Sequence, residues 1–164
     1  MKGIYLASKE HRIKNVNMDY NDIENYEGIN KPGDMLKINI EEYDYVIATP
    51  PCNYYSRANY RRETSKIAQK TKHLLPGILK KLENYNKPFI VENVLNSRLL
   101  PKTNYYEFEF GQHHYYTNVF MLIYDKSFAK KQNKQNKSYG KRDNNENVDL
   151  IIKLFLETIG AIEK

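Results

Sequence analysis

Residues 44–53 read DYVIATPPCN: an apolar run, two prolines, and then the only cysteine of a 164-residue chain. From Tyr45 to Thr49 the apolar residues do not alternate with polar ones, the pattern of a strand buried on both faces of a parallel sheet. The prolines end the strand because neither supplies the amide donor that a central strand needs. Beyond them, Ile67, Thr71, Leu74, Leu75, Ile78, Leu79 and Leu82 recur at three- and four-residue spacing, which predicts a helix over about 63–82. Pro76 and Gly77 should kink or split it. Residues 88–94, PFIVENV, form a second buried strand and deliver Glu92 and Asn93 at its carboxyl end. Strand, helix, strand predicts an α/β fold with a mostly parallel sheet.

Working outward, GIYLASKE (3–10) suits a short helix, and Asn15–Met18 a short strand that ends on Asp19. Residues 20–34 are polar and close on KPGD, a turn signal. YYEFEF (105–110) and YTNVFMLIY (116–124) bracket GQHHY and predict an antiparallel pair. Residues 125–147 are basic and of low complexity, which reads as a linker or arm. Helical spacing returns in 148–164 through Val148, Ile151, Ile152, Phe155, Ile159 and Ile162. The expected organisation is one domain over 1–124, a flexible basic linker, and a C-terminal amphipathic helix.

Hydrophobic residues make up 40% of the chain and charged residues 28%, as in an ordinary soluble domain. No apolar run has the length of a membrane span, and no leader pattern opens the chain. A single cysteine cannot form an internal disulfide, so a cytoplasmic setting is expected. The net charge of +6 favours an anionic partner, of which nucleic acid is the commonest.

Ligands of open α/β sheets bind beyond the carboxyl ends of the strands, where the strand order reverses. Asp19, Pro50-Pro51-Cys52 and Glu92-Asn93 all fall at predicted strand ends. A lone cysteine is more often an inert core residue, and a lone glutamate a solvated carboxylate. A thiol and a carboxylate at the ends of two neighbouring buried strands, with two prolines stiffening the thiol's loop, point instead to chemistry. No metal site is read from the sequence.

ATPPCNYYS (48–56) resembles the Pro-Cys motif of DNA cytosine-5 methyltransferases, and FIVENV (89–94) their Glu-Asn-Val motif. Gly33-Asp34 is similar to the family's Gly-Asp motif, and FGQHHYYTN (110–118) to the hairpin motif of its short phage-type members. The resemblance spans roughly residues 4–124. It implies a Rossmann-like sheet with an antiparallel C-terminal hairpin, S-adenosylmethionine as cofactor and DNA as partner. In that reading Cys52 is the nucleophile and Glu92 the acid, with Pro51 and Asn93 beside them. Asp19, Asp34, Met35 and Pro50 fall to the cofactor, and Asn53, Ser56, Arg57, Gln112 and His114 to the DNA. The chemistry fits the residue types. A thiolate adding to carbon 6 of cytosine makes carbon 5 enamine-like, and a carboxylic acid at nitrogen 3 relieves the charge that develops. Both groups must face one flipped-out base.

The sequence departs from the family in four places. No glycine-rich loop is found before Gly28, so GIYLASKEHRIKNVNMD reads as the tail of a first helix entering the second strand. A separate chain would then supply the first strand and loop. Asn53 stands where Gln is usual, Gln112-His113-His114 lacks the expected arginines, and too little chain follows Tyr124 for a target-recognition domain. Three readings follow: a cytosine-5 DNA methyltransferase domain completed by an N-terminal piece, an inactive methyltransferase-like DNA-binding protein, and, last, a methyltransferase of exocyclic amines.

Overall fold

The computed structural model describes residues 1–95, 98–122 and 145–163. Seven strands form one mixed sheet: β1 (Gly3–Leu6), β2 (Met18–Asp22), β3 (Lys31–Pro32), β4 (Tyr45–Ala48), β5 (Phe89–Val94), β6 (Tyr106–Phe110) and β7 (His113–Thr117). Their order is β3-β2-β1-β4-β5-β7-β6. The first five in that order pair in parallel, and β7 runs antiparallel to both β5 and β6. The α/β class and the mostly parallel sheet agree with the sequence.

Side chains alternate across the strands and divide the core in two. Ile4, Leu6, Val46, Ala48, Phe89 and Val91 face Leu75, Ile78, Leu79 and Leu82 of the helix α2 (Leu74–Leu82). Tyr5, Tyr45, Ile47 and Ile90 face Val148, Ile151, Ile152, Phe155 and Leu156 of the helix α3 (Asn145–Thr158). Each fully buried Leu or Ile contributes about 1.5–3 kcal/mol through water released from its surface.

Several expectations need correction. Residues 3–6 are the strand β1, hydrogen-bonded on one side to β2 and on the other to β4, not part of a helix. The place assigned to a strand from another chain is therefore filled by this chain itself. The second strand is 18–22 rather than 15–18. That shift gives the β1–β2 crossover residues 7–17, close to the dozen or so that a parallel connection needs. The sequence MDYND is too polar to show a strand pattern. It is buried because Asn21 spends its amide on the carbonyls of Lys31 and Gly33, at 2.7 and 2.9 Å.

The long helix is split into α1 (Lys66–Thr71) and α2, with Lys72 and His73 between them. The ring of Pro76 excludes the carbonyl four residues earlier, that of Lys72, from a continuous helix. The hydroxyl of Tyr55 donates to that carbonyl instead, at 2.8 Å. The hairpin turns on Gly111 and Gln112 alone, so His113, His114 and Tyr115 belong to β7 and not to the connection. Gly111 takes a positive φ of 62°, which a two-residue hairpin turn of the Gly-X kind requires. Helix α3 begins at Asn145, inside the expected linker; residues 125–144 of that linker, like the end of the predicted strand at 123–124, lie outside the described residues. No helix among the described residues is long and apolar enough to cross a membrane.

Candidate active site

The strand order reverses between β1 and β4, and the crevice lies at their carboxyl ends. Thr49 closes that junction: its amide donates to the carbonyl of Leu6 at 3.1 Å and its hydroxyl to that of Ala7 at 3.0 Å. Pro50, Pro51 and Cys52 leave from there. The loop after Cys52 is knit by its own backbone. Ser56 N–H donates to the carbonyl of Cys52 at 2.9 Å, and the Arg62 guanidinium to that of Ser56 at 3.0 Å. Asn53 and Arg57 are exposed on this loop, and the Asn53 carbonyl accepts from Asn59 Nδ2 at 2.7 Å.

The neighbouring strand β5 brings in Glu92 and Asn93. Asn93 is fully buried and donates from Nδ2 to the carbonyl of Pro50 at 3.0 Å, while its Oδ1 has no partner among the described residues. Glu92 points to the opposite face, where its Oε1 lies 2.6 Å from His113 Nδ1 in a hydrogen bond. Burial pushes the Cys52 thiol above its ordinary range, the Glu92 carboxylate pushes it further, and Lys9 opposes both. At neutral pH the sulfur is held as a thiol.

The structure divides the remaining predicted residues. Asp19 lies near the amino end of β2, opposite Ile4, and not at a carboxyl end. Its carboxylate binds Lys2 Nζ at 2.9 Å, the Tyr43 hydroxyl at 2.8 Å and Asn30 Nδ2 at 2.9 Å. Burial alone would raise its pKa; those three donors outweigh burial and hold it low. The carboxylate at the carboxyl end of β2 is Asp22. Asp34 follows β3 and caps Leu36 N–H at 3.0 Å, while Met35 is packed in the core beneath α2. Gln112 is exposed in the hairpin turn. His114 faces away from Glu92 and bonds Glu107 Oε2 at 3.1 Å.

Sequence reasoning passed over Asp22, Lys9 and His113. Placing the hairpin turn at Gly111-Gln112 would have revealed His113, since alternation along β7 then sets it on the side of Glu92. No group of three or more His, Cys, Asp or Glu among the described residues is arranged to hold a metal ion.

The implied S-adenosylmethionine fits these residues poorly. The amides of Ala7, Ser8, Lys9 and His11, which would meet the carboxylate of the cofactor beyond β1, donate to Asn21 Oδ1, the Asn21 carbonyl, Asp22 Oδ2 and the Ser8 carbonyl. No helix opens behind them between β1 and β2. Ala7 and Lys9 hold positive φ angles of 55° and 49°, where glycine would be unstrained. No family model, curated protein or solved structure matches this chain.

Proposed function

We propose that the chain acts on cytosine in DNA as a cytosine-5 methyltransferase, through a bond between the Cys52 sulfur and carbon 6 of the base. The observation that carries this reading is that the Cys52 thiol, in the loop after β4, lies within electrostatic reach of the Glu92 carboxylate on the neighbouring parallel strand β5. The reversal of strand order beside them supports a Rossmann-like methyltransferase sheet. The exposed cations Arg57, Arg61, Lys66 and Lys70 near the same loop support DNA as partner. Tyr60 is 82% exposed there and stacks under the Arg61 guanidinium, a surface suited to an unpaired base.

In the reaction the Cys52 thiol loses its proton to solvent, and the thiolate forms a bond to carbon 6. The carbon 5–carbon 6 π pair moves to carbon 4–carbon 5, and the displaced imine pair takes a proton on nitrogen 3 from the Glu92 carboxylic acid. Carbon 5 is then an enamine carbon. The reading rests on this half of the reaction, because the methyl donor does not fit the closed loop 7–17. That same closure favours a second reading, a methyltransferase-like protein that binds DNA without transferring a methyl group.

Exchange at carbon 5 tests the proposal without any methyl donor. The enamine carbon takes a deuteron from heavy water, and loss of its proton with expulsion of the sulfur returns cytosine deuterated at carbon 5. Exchange in DNA by the wild-type chain, lost in Cys52→Ser, is the expected result. Its absence from folded, DNA-binding protein favours the second reading.

A further inference from the structure

His113 is buried on β7, diagonal to Glu92 on β5, and its two ring nitrogens differ. Nδ1 lies 2.6 Å from Glu92 Oε1, while Nε2 is buried without a partner among the described residues. An imidazolium would bury an unpaired N–H at Nε2, whereas the neutral ring protonated on Nδ1 leaves only a lone pair there. The ring is therefore a donor to Glu92. The Cys52 thiol, the Tyr5 hydroxyl and the Tyr115 hydroxyl feel the Glu92 charge, and Lys9 acts on the same thiol. The Nδ1–H of His113, 2.6 Å from Oε1, is placed to meet the charge left when Glu92 gives up a proton.

We propose that His113 is the positioning residue of Glu92, donating Nδ1–H to Oε1 so that Oε2 is turned to the cytosine edge and the carboxylate formed on proton transfer is stabilised. This rests on the cytosine reading above and adds a residue to it.

The test compares carbon 5 exchange in DNA by the wild-type chain, His113→Leu and His113→Asn, with DNA affinity measured alongside. The Asn Nδ2 occupies the place of Nδ1 and keeps the donor. His113→Leu should slow exchange about 10- to 100-fold at unchanged DNA affinity, a share of what a general acid supplies, and His113→Asn should recover most of it. Nitrogen NMR of the labelled histidines should find His113 protonated on Nδ1, which decides the matter even where the leucine variant fails to fold. Protonation on Nε2, or exchange in His113→Leu equal to wild type, overturns the role of His113 alone. Absence of exchange in the wild-type chain overturns the cytosine reading, and this inference with it.

Discussion

Asn93 donates from Nδ2 to the carbonyl of Pro50 at 3.0 Å, and so fastens the end of β5 to the start of the Cys52 loop. The prolines lack donors of their own, so a neighbouring strand has to hold them. Asn93→Leu leaves the Pro50 carbonyl buried and unpaired, and should cost about 1–3 kcal/mol in urea denaturation. It should also loosen Cys52, seen as faster alkylation by iodoacetamide. Alkylation at the wild-type rate in a destabilised variant would show that the bond secures the sheet and not the thiol.

The Cys52 thiol is raised by burial first and by Glu92 second, with Lys9 opposing. A raised pKa means less thiolate at neutral pH, so alkylation should be slower than for a free cysteine and should rise with pH to a midpoint above the ordinary thiol range. Glu92→Gln should move that midpoint down and Lys9→Gln should move it up. Opposite movements would refute the proximity of these groups.

Asp19 belongs to the fold. Removing the Tyr43 hydroxyl in Tyr43→Phe deletes a hydrogen bond to a charged carboxylate and should cost about 1.5–3 kcal/mol at pH 7. Because the folded-state pKa of Asp19 is depressed, this stability is present above the unfolded value and is lost as pH falls through the folded one. The difference between wild type and Tyr43→Phe should accordingly shrink in acid. A difference that is constant with pH would assign the loss to packing.

Gly3 is required by its neighbour. A Cβ at this position would stand 2.2 Å from the ring of Tyr45, which is fully buried. Gly3→Ala should destabilise by about 1–3 kcal/mol through overpacking, and the double variant with Tyr45→Leu should lose less than the sum of the two. Additive losses in thermal denaturation would contradict this contact.

Calorimetry of the chain with S-adenosylmethionine should give weak or no binding, since the amides of Ala7 to Lys9 are already engaged with Asn21 and Asp22. Asn21→Ala removes one of these acceptors, and tighter binding in that variant would show that the loop opens to admit the cofactor. Tight binding by the wild-type chain would refute the poor fit.

The apolar strands were the legible part of the fold. β4 and β5 announce themselves by apolar runs; Cys52 follows β4 in a loop, while Glu92 sits inside β5, two residues before its end at Val94. β1 and β2 were hidden for a physical reason. β1 is four residues long, and β2 satisfies Asp19, Asn21 and Asp22 through local partners, so neither shows a hydrophobic period. The strand placed three residues early made the crossover look too short, and that one error converted β1 into a helix and set Asp19 at the wrong end of its strand. The split in the long helix was foreseen, but not that the carbonyl freed at Lys72 would anchor Tyr55.

The crossover from β1 to β2 carries no helix, and the face of the sheet it leaves bare is covered by α3, from the other end of the chain. His11 in that crossover also pairs with Asp149 at the start of α3. On a ribosome, which releases a chain from its N-terminus, Tyr5, Tyr45 and Ile90 would wait for residues 145–158 to emerge before their cover arrives. The strands can pair early, but one side of the sheet stays sticky until α3 is made. A chain stalled or cut short before α3 would expose that apolar face to chaperones or to other unfinished copies.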